Sequence, residues 1–126
     1  MKILTVDDSS AIRKIIKAAA DVLRIDTAEA CDGVEALKVL SEQYGQIDLV
    51  LLDWNMPEKN GYEVLTEMKA DDRYSHIPVM MVTTEGQQSS IIAAVQAGAA
   101  NYLTKPFTID ELEAKIIECI GEEDFT

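Results

Sequence analysis

Basic residues are scarce in this chain: 11 Lys and Arg stand against 23 Asp and Glu, a formal net charge of −12. A protein that grips duplex DNA needs a basic patch to release counterions, and no such cluster occurs, so nucleic-acid binding by this chain alone is not expected. Apolar runs are short, well below the ~20 residues needed to cross a bilayer, so no membrane association is expected. The first residues, one lysine, a short apolar run and then two acids, do not have the form of a secretory signal. Cysteine is limited to Cys31 and Cys119, far apart and without metal-ligand spacing, and these read as reduced, buried thiols of a cytoplasmic protein. The single histidine, His76, lies in a polar stretch and reads as a surface residue with no metal or catalytic role. With three prolines and six glycines there is no Pro/Gly-rich linker, and no repeat or low-complexity tract. One domain with a real core is the expectation for 126 residues.

What is present is an alternation of strand-like and helix-like segments. The first strand reads Lys2–Val6, followed by a helix from about Ser10 with Ile12, Ile15, Ile16, Ala19 and Leu23 as its apolar stripe. A short strand, Asp26–Ala30, precedes a helix opened by Asp32 and Glu35, whose inner face is read as Val34, Leu37, Leu40 and Tyr44. The third strand is Ile47–Leu52, and Asn60–Glu63 opens a helix with Val64, Leu65 and Met68 inward. Pro78–Thr83 reads as the fourth strand, and Ser90–Ala97 as a helix carrying Ile91, Ile92 and Val95, stopped by Gly98. Asn101–Thr104 is a short fifth strand, and Thr108 with Glu111 forms a capping box before a last helix with Leu112, Ile116 and Ile120 inward. The third and fourth strands are continuously apolar, the mark of a parallel sheet covered on both faces. Five strand–helix units with short connections predict an open α/β sandwich.

Solubility accounts for most of the acidity, but not for its placement. Asp7 and Asp8 end the first apolar run, and Asp53 ends the third. In a parallel sheet these carboxylates emerge together at one rim. Two like charges ~4 Å apart repel by ~4 kcal/mol at an effective dielectric of ~20. Three such pairs rival the ~5–15 kcal/mol that holds a domain together, so a shared proton or a cation is required. Thr83 and Lys105 end two later runs in the same way. All five residues fall at the carboxyl ends of strands, where open α/β sheets gather functional groups beside a topological switch point.

The segments Val6-Asp-Asp-Ser9, Leu52-Asp-Trp-Asn-Met-Pro57, Val82-Thr-Thr84 and Thr104-Lys-Pro-Phe107 together resemble the receiver domain of bacterial response regulators, in the right order and on the right elements. The resemblance runs from Met1 to about Ile120. Asp53–Pro57, Ile91–Ala94 with Gln96–Ala99, and Lys105–Thr108 make it most similar to stand-alone chemotaxis regulators within that family. It implies a flavodoxin-like (βα)5 sandwich, a five-stranded parallel sheet of order 2-1-3-4-5 with helices on both faces. It places the receiver domain at residues 1–121 and a short acidic tail at 122–126, with no output domain, so that output comes from partner binding.

The resemblance also implies roles. Asp53 is the phosphoacceptor, taking its phosphoryl group from the phosphohistidine of a histidine kinase. Asp8, Asp53 and the backbone carbonyl of Asn55 hold Mg²⁺, Asp7 helps through water, and Mn²⁺ is an acceptable substitute. Lys105 and the Thr83 hydroxyl contact the phosphoryl group. Thr83 and Tyr102 form the switch, Asn55 and Glu85 tune dephosphorylation, and the Lys105–Pro106 bond is cis. Such a protein is a cytoplasmic, monomeric switch rather than an enzyme on outside substrates, catalysing only its own phosphorylation and dephosphorylation. Its downstream target is a partner protein such as the flagellar motor switch, although Gln87 and Gln88 stand where lysines are common in these regulators.

Blander readings exist for each residue taken alone. Asp7 or Asp8 caps a helix, Thr83 is a β-branched strand residue, Lys105 a solvated loop lysine, Trp54 loop packing, and Tyr102 a half-buried amphipathic side chain. Other functions share parts of the pattern. A phosphorelay intermediate uses the same site. A flavin-binding electron carrier shares the fold, but it needs a hydroxyl- or glycine-rich phosphate cradle where this chain has two acids. An aspartyl phosphatase places its second aspartate where this chain has Asn55, and a degenerate scaffold lacks key residues that are all present here.

Overall fold

The apolar runs pair as strands and the amphipathic stretches cover them. In chain order the elements are β1 (Lys2–Val6), α1 (Ser10–Val22), β2 (Asp26–Ala30), α2 (Gly33–Gln43), β3 (Leu49–Leu52), α3 (Gly61–Ala70), β4 (Val79–Thr83), α4 (Gln88–Gln96), β5 (Asn101–Thr104) and α5 (Ile109–Ile120). The structure, a computed structural model, describes residues 1–121, and the expected acidic tail at 122–126 lies outside the described residues. Five parallel strands form one sheet of order β2-β1-β3-β4-β5, the flavodoxin-like arrangement expected. The order reverses between β1 and β3, which opens a crevice at their carboxyl ends.

Alternation along the strands sorts the core into two layers. Leu4, Val6, Val50, Leu52, Val79 and Met81 face α2, α3 and α4, packing with Ala36, Leu40, Val64, Leu65, Met68 and Ala94. Ile3, Leu49, Leu51, Met80, Val82 and Leu103 face α1 and α5, packing with Ile16, Ala19, Ala20, Leu112 and Ile116. β3 and β4 are buried along their whole length. Each fully buried Leu, Val or Met side chain contributes about 1.5–3 kcal/mol by leaving water, so the strand ends at the crevice stand on a rigid base.

Several expectations about facing are corrected. Ile15 on α1 is exposed, whereas Leu23, the residue just past the end of α1, packs against the core as expected. On α2 the buried residues are Gly33, Ala36 and Leu40, with Leu37 packed against the core as expected, while Val34 is 55% exposed and Tyr44, past the helix end, is 39% exposed. Each residue turns a helix by about 100°, so a reading one position off faces solvent. β3 begins at Leu49; Ile47 is buried just before it. α4 begins at Gln88, and of its apolar residues only Ala94 is buried, with Ile92 47% and Val95 55% exposed. That helix lies beside the edge strand β5, where the sheet offers cover on one narrow side. Cys119 is half-buried, but Cys31 is exposed, in the turn after edge strand β2. Its thiol is pushed above the ordinary cysteine range by its hydrogen bond to Glu35, then by partial desolvation and nearby carboxylate charge, which favours the protonated form.

Candidate functional site

Register brings the acids together. Val6 stands opposite Leu52, so Asp7 and Asp53 leave adjacent strands side by side. Both are anchored by the sheet: Asp53 N–H donates to the Val6 carbonyl at 3.0 Å and Asp7 N–H to the Ala30 carbonyl at 3.1 Å. One oxygen from each of Asp7, Asp8 and Asp53 lies within 4.8 Å of the others, and Asp7 and Asp53 are buried while Asp8 is exposed. Ser9, not an aspartate, is the N-cap of α1, and its hydroxyl accepts from Ile12 N–H at 3.3 Å. Neither aspartate therefore serves as the N-cap of α1.

Lys105 enters from just beyond β5. Its ammonium donates to Asp7 Oδ2 at 2.7 Å and to Asp53 Oδ2 at 3.3 Å, so it neutralises part of a charge that would otherwise repel itself. Burial works against the ammonium, but the hydrogen bond to Asp7 and the fields of Asp53 and Asp7 outweigh it and hold Lys105 above the ordinary lysine value. The remaining carboxylate oxygens have backbone donors. Asp7 Oδ1 accepts from Ser9 N–H at 2.9 Å, and Asp53 Oδ1 from Asn55 N–H at 3.3 Å. The Lys105–Pro106 peptide bond is cis. Lys105 also lines an apolar groove with Ile12, Ile15, Pro106, Phe107 and Ile109.

Beside this cluster stands a hydroxyl and a phenol. Thr83, fully buried, ends β4, and its Oγ1 accepts from Glu85 N–H at 3.2 Å. Tyr102 is half-buried, and its hydroxyl donates to the Glu85 carbonyl. Partial burial, and then the charges of Glu85 and Asp53, push the phenol above its ordinary value, so it remains a donor at neutral pH. Trp54 packs at the margin of the core and stacks on Tyr62 with ring centroids 5.3 Å apart. His76 is exposed, as read from the sequence.

Two supporting residues carried no signal of their role in the sequence. Arg13 Nη1 donates to the Asp7 carbonyl at 2.6 Å and Nε to Glu29 at 3.0 Å, tying the β1–α1 turn to edge strand β2. Gly61 lies so close to the Asp53 carbonyl that a Cβ there would sit 2.1 Å from it, and its N–H donates to the Trp54 carbonyl at 2.8 Å. A glycine after a capping asparagine was legible as a helix start, but not as a floor beneath Asp53.

The donor set fits a hard divalent cation. Three carboxylates offer oxygen only, two of them are buried, and one ammonium leaves most of the negative charge uncompensated. Mg²⁺ prefers one or two carboxylates with water and a phosphoryl oxygen completing its shell.

Comparison with known proteins agrees with this geometry. Residues 3–117 match the family described as response regulator receiver domain. The chain is 42% identical to chemotaxis protein CheY1 of Helicobacter pylori over 125 residues, covering 98% of this chain and 100% of that protein. It is 47% identical to chemotaxis protein CheY of Pseudomonas aeruginosa over 117 residues, covering 92% and 93% of the two. Among solved structures, Vibrio cholerae chemotaxis protein CheY4 superposes with a TM-score of 0.86 at 29% identity, over 94% of this chain and 97% of that one. The receiver domain of a Pseudomonas aeruginosa sensor histidine kinase, solved with a magnesium ion in its active site cleft, gives 0.83 at 28% identity, over 94% and 96%.

Proposed function

This chain belongs to the response regulator receiver domain family, and from that premise we propose that Asp53 is its phosphoacceptor and the residues around it a phosphotransfer site. The protein is a phosphorylation-dependent response regulator of the chemotaxis type. A flavin carrier is not favoured, because Asp7 and Asp8 occupy the place where such a fold cradles a phosphate. The observation that carries the proposal is the convergence of buried Asp53 with Asp7, Asp8 and Lys105 at the switch point of the sheet.

In the step proposed, an Asp53 carboxylate oxygen attacks the phosphorus of a phosphohistidine, a new O–P bond forms, and the P–N bond breaks with return of the imidazole to the kinase. Catalysis of such transfer is chiefly positioning and charge neutralisation. Lys105, already within reach of Asp53, pairs with the incoming phosphoryl oxygens, and the Thr83 hydroxyl donates to another. Asp8, Asp53 and the Asn55 carbonyl would hold Mg²⁺, with Asp7 assisting through water, and Mn²⁺ suits the same oxygens. The bound divalent ion supplies the positive charge that lets a phosphoryl dianion approach three carboxylates. Asn55 and Glu85 border the site and set water access to the phosphoryl group.

The partners proposed are a histidine kinase as donor and a downstream protein, the flagellar motor switch foremost, reached by a monomer in the cytoplasm. No helix among the described residues is long and apolar enough to cross a membrane. Asp53→Ala incubated with acetyl phosphate and Mg²⁺ should gain no mass while the wild type gains one phosphoryl group; full labelling of the variant would refute the assignment. Loss of the group within minutes in Mg²⁺ buffer suits rapid signalling, and persistence for hours would favour a relay intermediate. Thr83→Ala should still accept phosphate yet leave Tyr102 NMR signals unshifted.

A further inference from the structure

Two of the three clustered acids are held by direct bonds. Asp7 is fixed by Lys105 and Ser9 N–H, and Asp53 by Lys105 and Asn55 N–H. Asp8 is exposed, and among the described residues no hydrogen bond or ion pair reaches its carboxylate, yet one of its oxygens lies within 4.8 Å of an oxygen of each of the others. A side chain on an open turn keeps that direction when the peptide groups on both sides of it are fixed. On one side Ser9 N–H donates to Asp7 Oδ1 at 2.9 Å. On the other, the Asp7 carbonyl, whose peptide leads into Asp8, accepts from Arg13 Nη1 at 2.6 Å. β2 ends at Ala30, whose carbonyl pairs with Asp7 N–H, so the Asp7 carbonyl lies one step beyond the strand and Arg13 supplies its donor. Arg13 is held in turn, since its Nε donates to the half-exposed Glu29 on β2 at 3.0 Å. So open a pair adds little to stability. What it does is join two elements through divergent donors of one planar group, which a lysine ammonium cannot reproduce.

We propose that Arg13 is a positioning residue of the cation site: anchored by Glu29, its guanidinium fixes the Asp7–Asp8 peptide so that the Asp8 carboxylate points at Asp7 and Asp53. This role rests on the reading of the three acids as a divalent-cation site. As a bare charge, Arg13 repels a cation in the crevice, so its loss would tighten binding. As the fixture of the turn it favours the cation, and its loss lets Asp8 swing to solvent and weakens binding. The two roles have opposite signs.

The test is a Mg²⁺ titration of metal-stripped protein, followed by Trp54 emission, on wild type and variants. Arg13→Met should bind Mg²⁺ about tenfold more weakly than wild type. Arg13→Lys, which keeps the charge and loses the fork, should also bind more weakly. Unchanged or tighter binding in Arg13→Met overturns the proposal, and wild-type affinity in Arg13→Lys overturns the two-point hold. Glu29→Gln should weaken binding in wild type and far less in the Arg13→Met background; equal effects in the two overturn the anchoring by Glu29. Lys17→Ala, which breaks an ion pair with Asp21 farther along the same helix, should keep the wild-type affinity, and a loss matching that of Arg13→Met would mean general loosening of α1 and overturn the proposal. If wild type shows no response to Mg²⁺, the cation reading fails, and hydrogen exchange of the Ser9 amide in metal-free protein decides the hold itself. That amide should exchange about tenfold faster in Arg13→Met than in wild type, and equal rates overturn the hold.

Discussion

Lys105 holds the site together before any phosphoryl group arrives. Its ammonium bridges two buried carboxylates, so Lys105→Met should strand both charges and cost roughly 3–5 kcal/mol in urea denaturation at neutral pH. Millimolar Mg²⁺ should recover more stability in that variant than in wild type, since the cation takes over the neutralisation. The folded pKa of Lys105 is raised, so its contribution is fully present below the ordinary lysine value of 10.5 and is lost as pH climbs through the raised value. Wild type and Lys105→Met should therefore converge in stability only in that alkaline range, which urea midpoints across pH will show. A different residue is suboptimal for stability. Thr5 Oγ1 is buried without a partner among the described residues, and such a group costs about 1–3 kcal/mol. Thr5→Val should raise the melting temperature, by an amount corresponding to about 1 kcal/mol, and leave phosphorylation untouched.

At the start of α3, stability and function separate cleanly. Asn60 and Glu63 form a full capping box, so Asn60→Ala should cost about 1 kcal/mol with little effect on the rate of Asp53 labelling. Gly61→Ala is different, because its Cβ would meet the Asp53 carbonyl at 2.1 Å. Overpacking of this kind costs about 1–3 kcal/mol, and here the backbone that must yield carries the proposed phosphoacceptor. Labelling by acetyl phosphate, followed by intact mass, should slow in Gly61→Ala well beyond its slowing in Asn60→Ala. Equal rates in the two variants would show that Gly61 does not shape the site. The capping boxes of α3 and α5 were legible from residues three apart, because a cap is a local arrangement. The outward turn of Val34, Ile92 and Val95 was not, because helical period tells how residues group around an axis and not which group meets the sheet.

For the molecule as a whole, a cation held by the acids of the crevice would couple its binding to folding. A ligand that binds only the folded state at one hundred times its dissociation constant adds ~2.7 kcal/mol. Mg²⁺ should therefore raise the melting temperature, and Trp54 emission, with the ring next to Asp53 and stacked on Tyr62, should change along the same binding curve. Asp8→Asn should abolish both responses and, by removing one of three mutually repelling carboxylates, raise rather than lower the metal-free melting temperature. A melting curve indifferent to Mg²⁺ in wild type would count against the site.

Apolar periodicity and turn residues were enough to predict an α/β sandwich and the acids, Thr83 and Lys105 at strand ends, because hydrophobic period and capping are properties of neighbours in the chain. The strand order came from resemblance to a family, since spacing does not say which strand lies beside which. Contacts across the fold were decided only by the packed structure: Lys105 beside Asp7, Arg13 on the Asp7 carbonyl, Gly61 beneath Asp53, Ser90 on Glu85. The exposure of Cys31 belongs with them. Each depends on the distance and direction between elements that are separate in sequence. Those are set by how two core layers pack against one twisted sheet, and no local pattern encodes them.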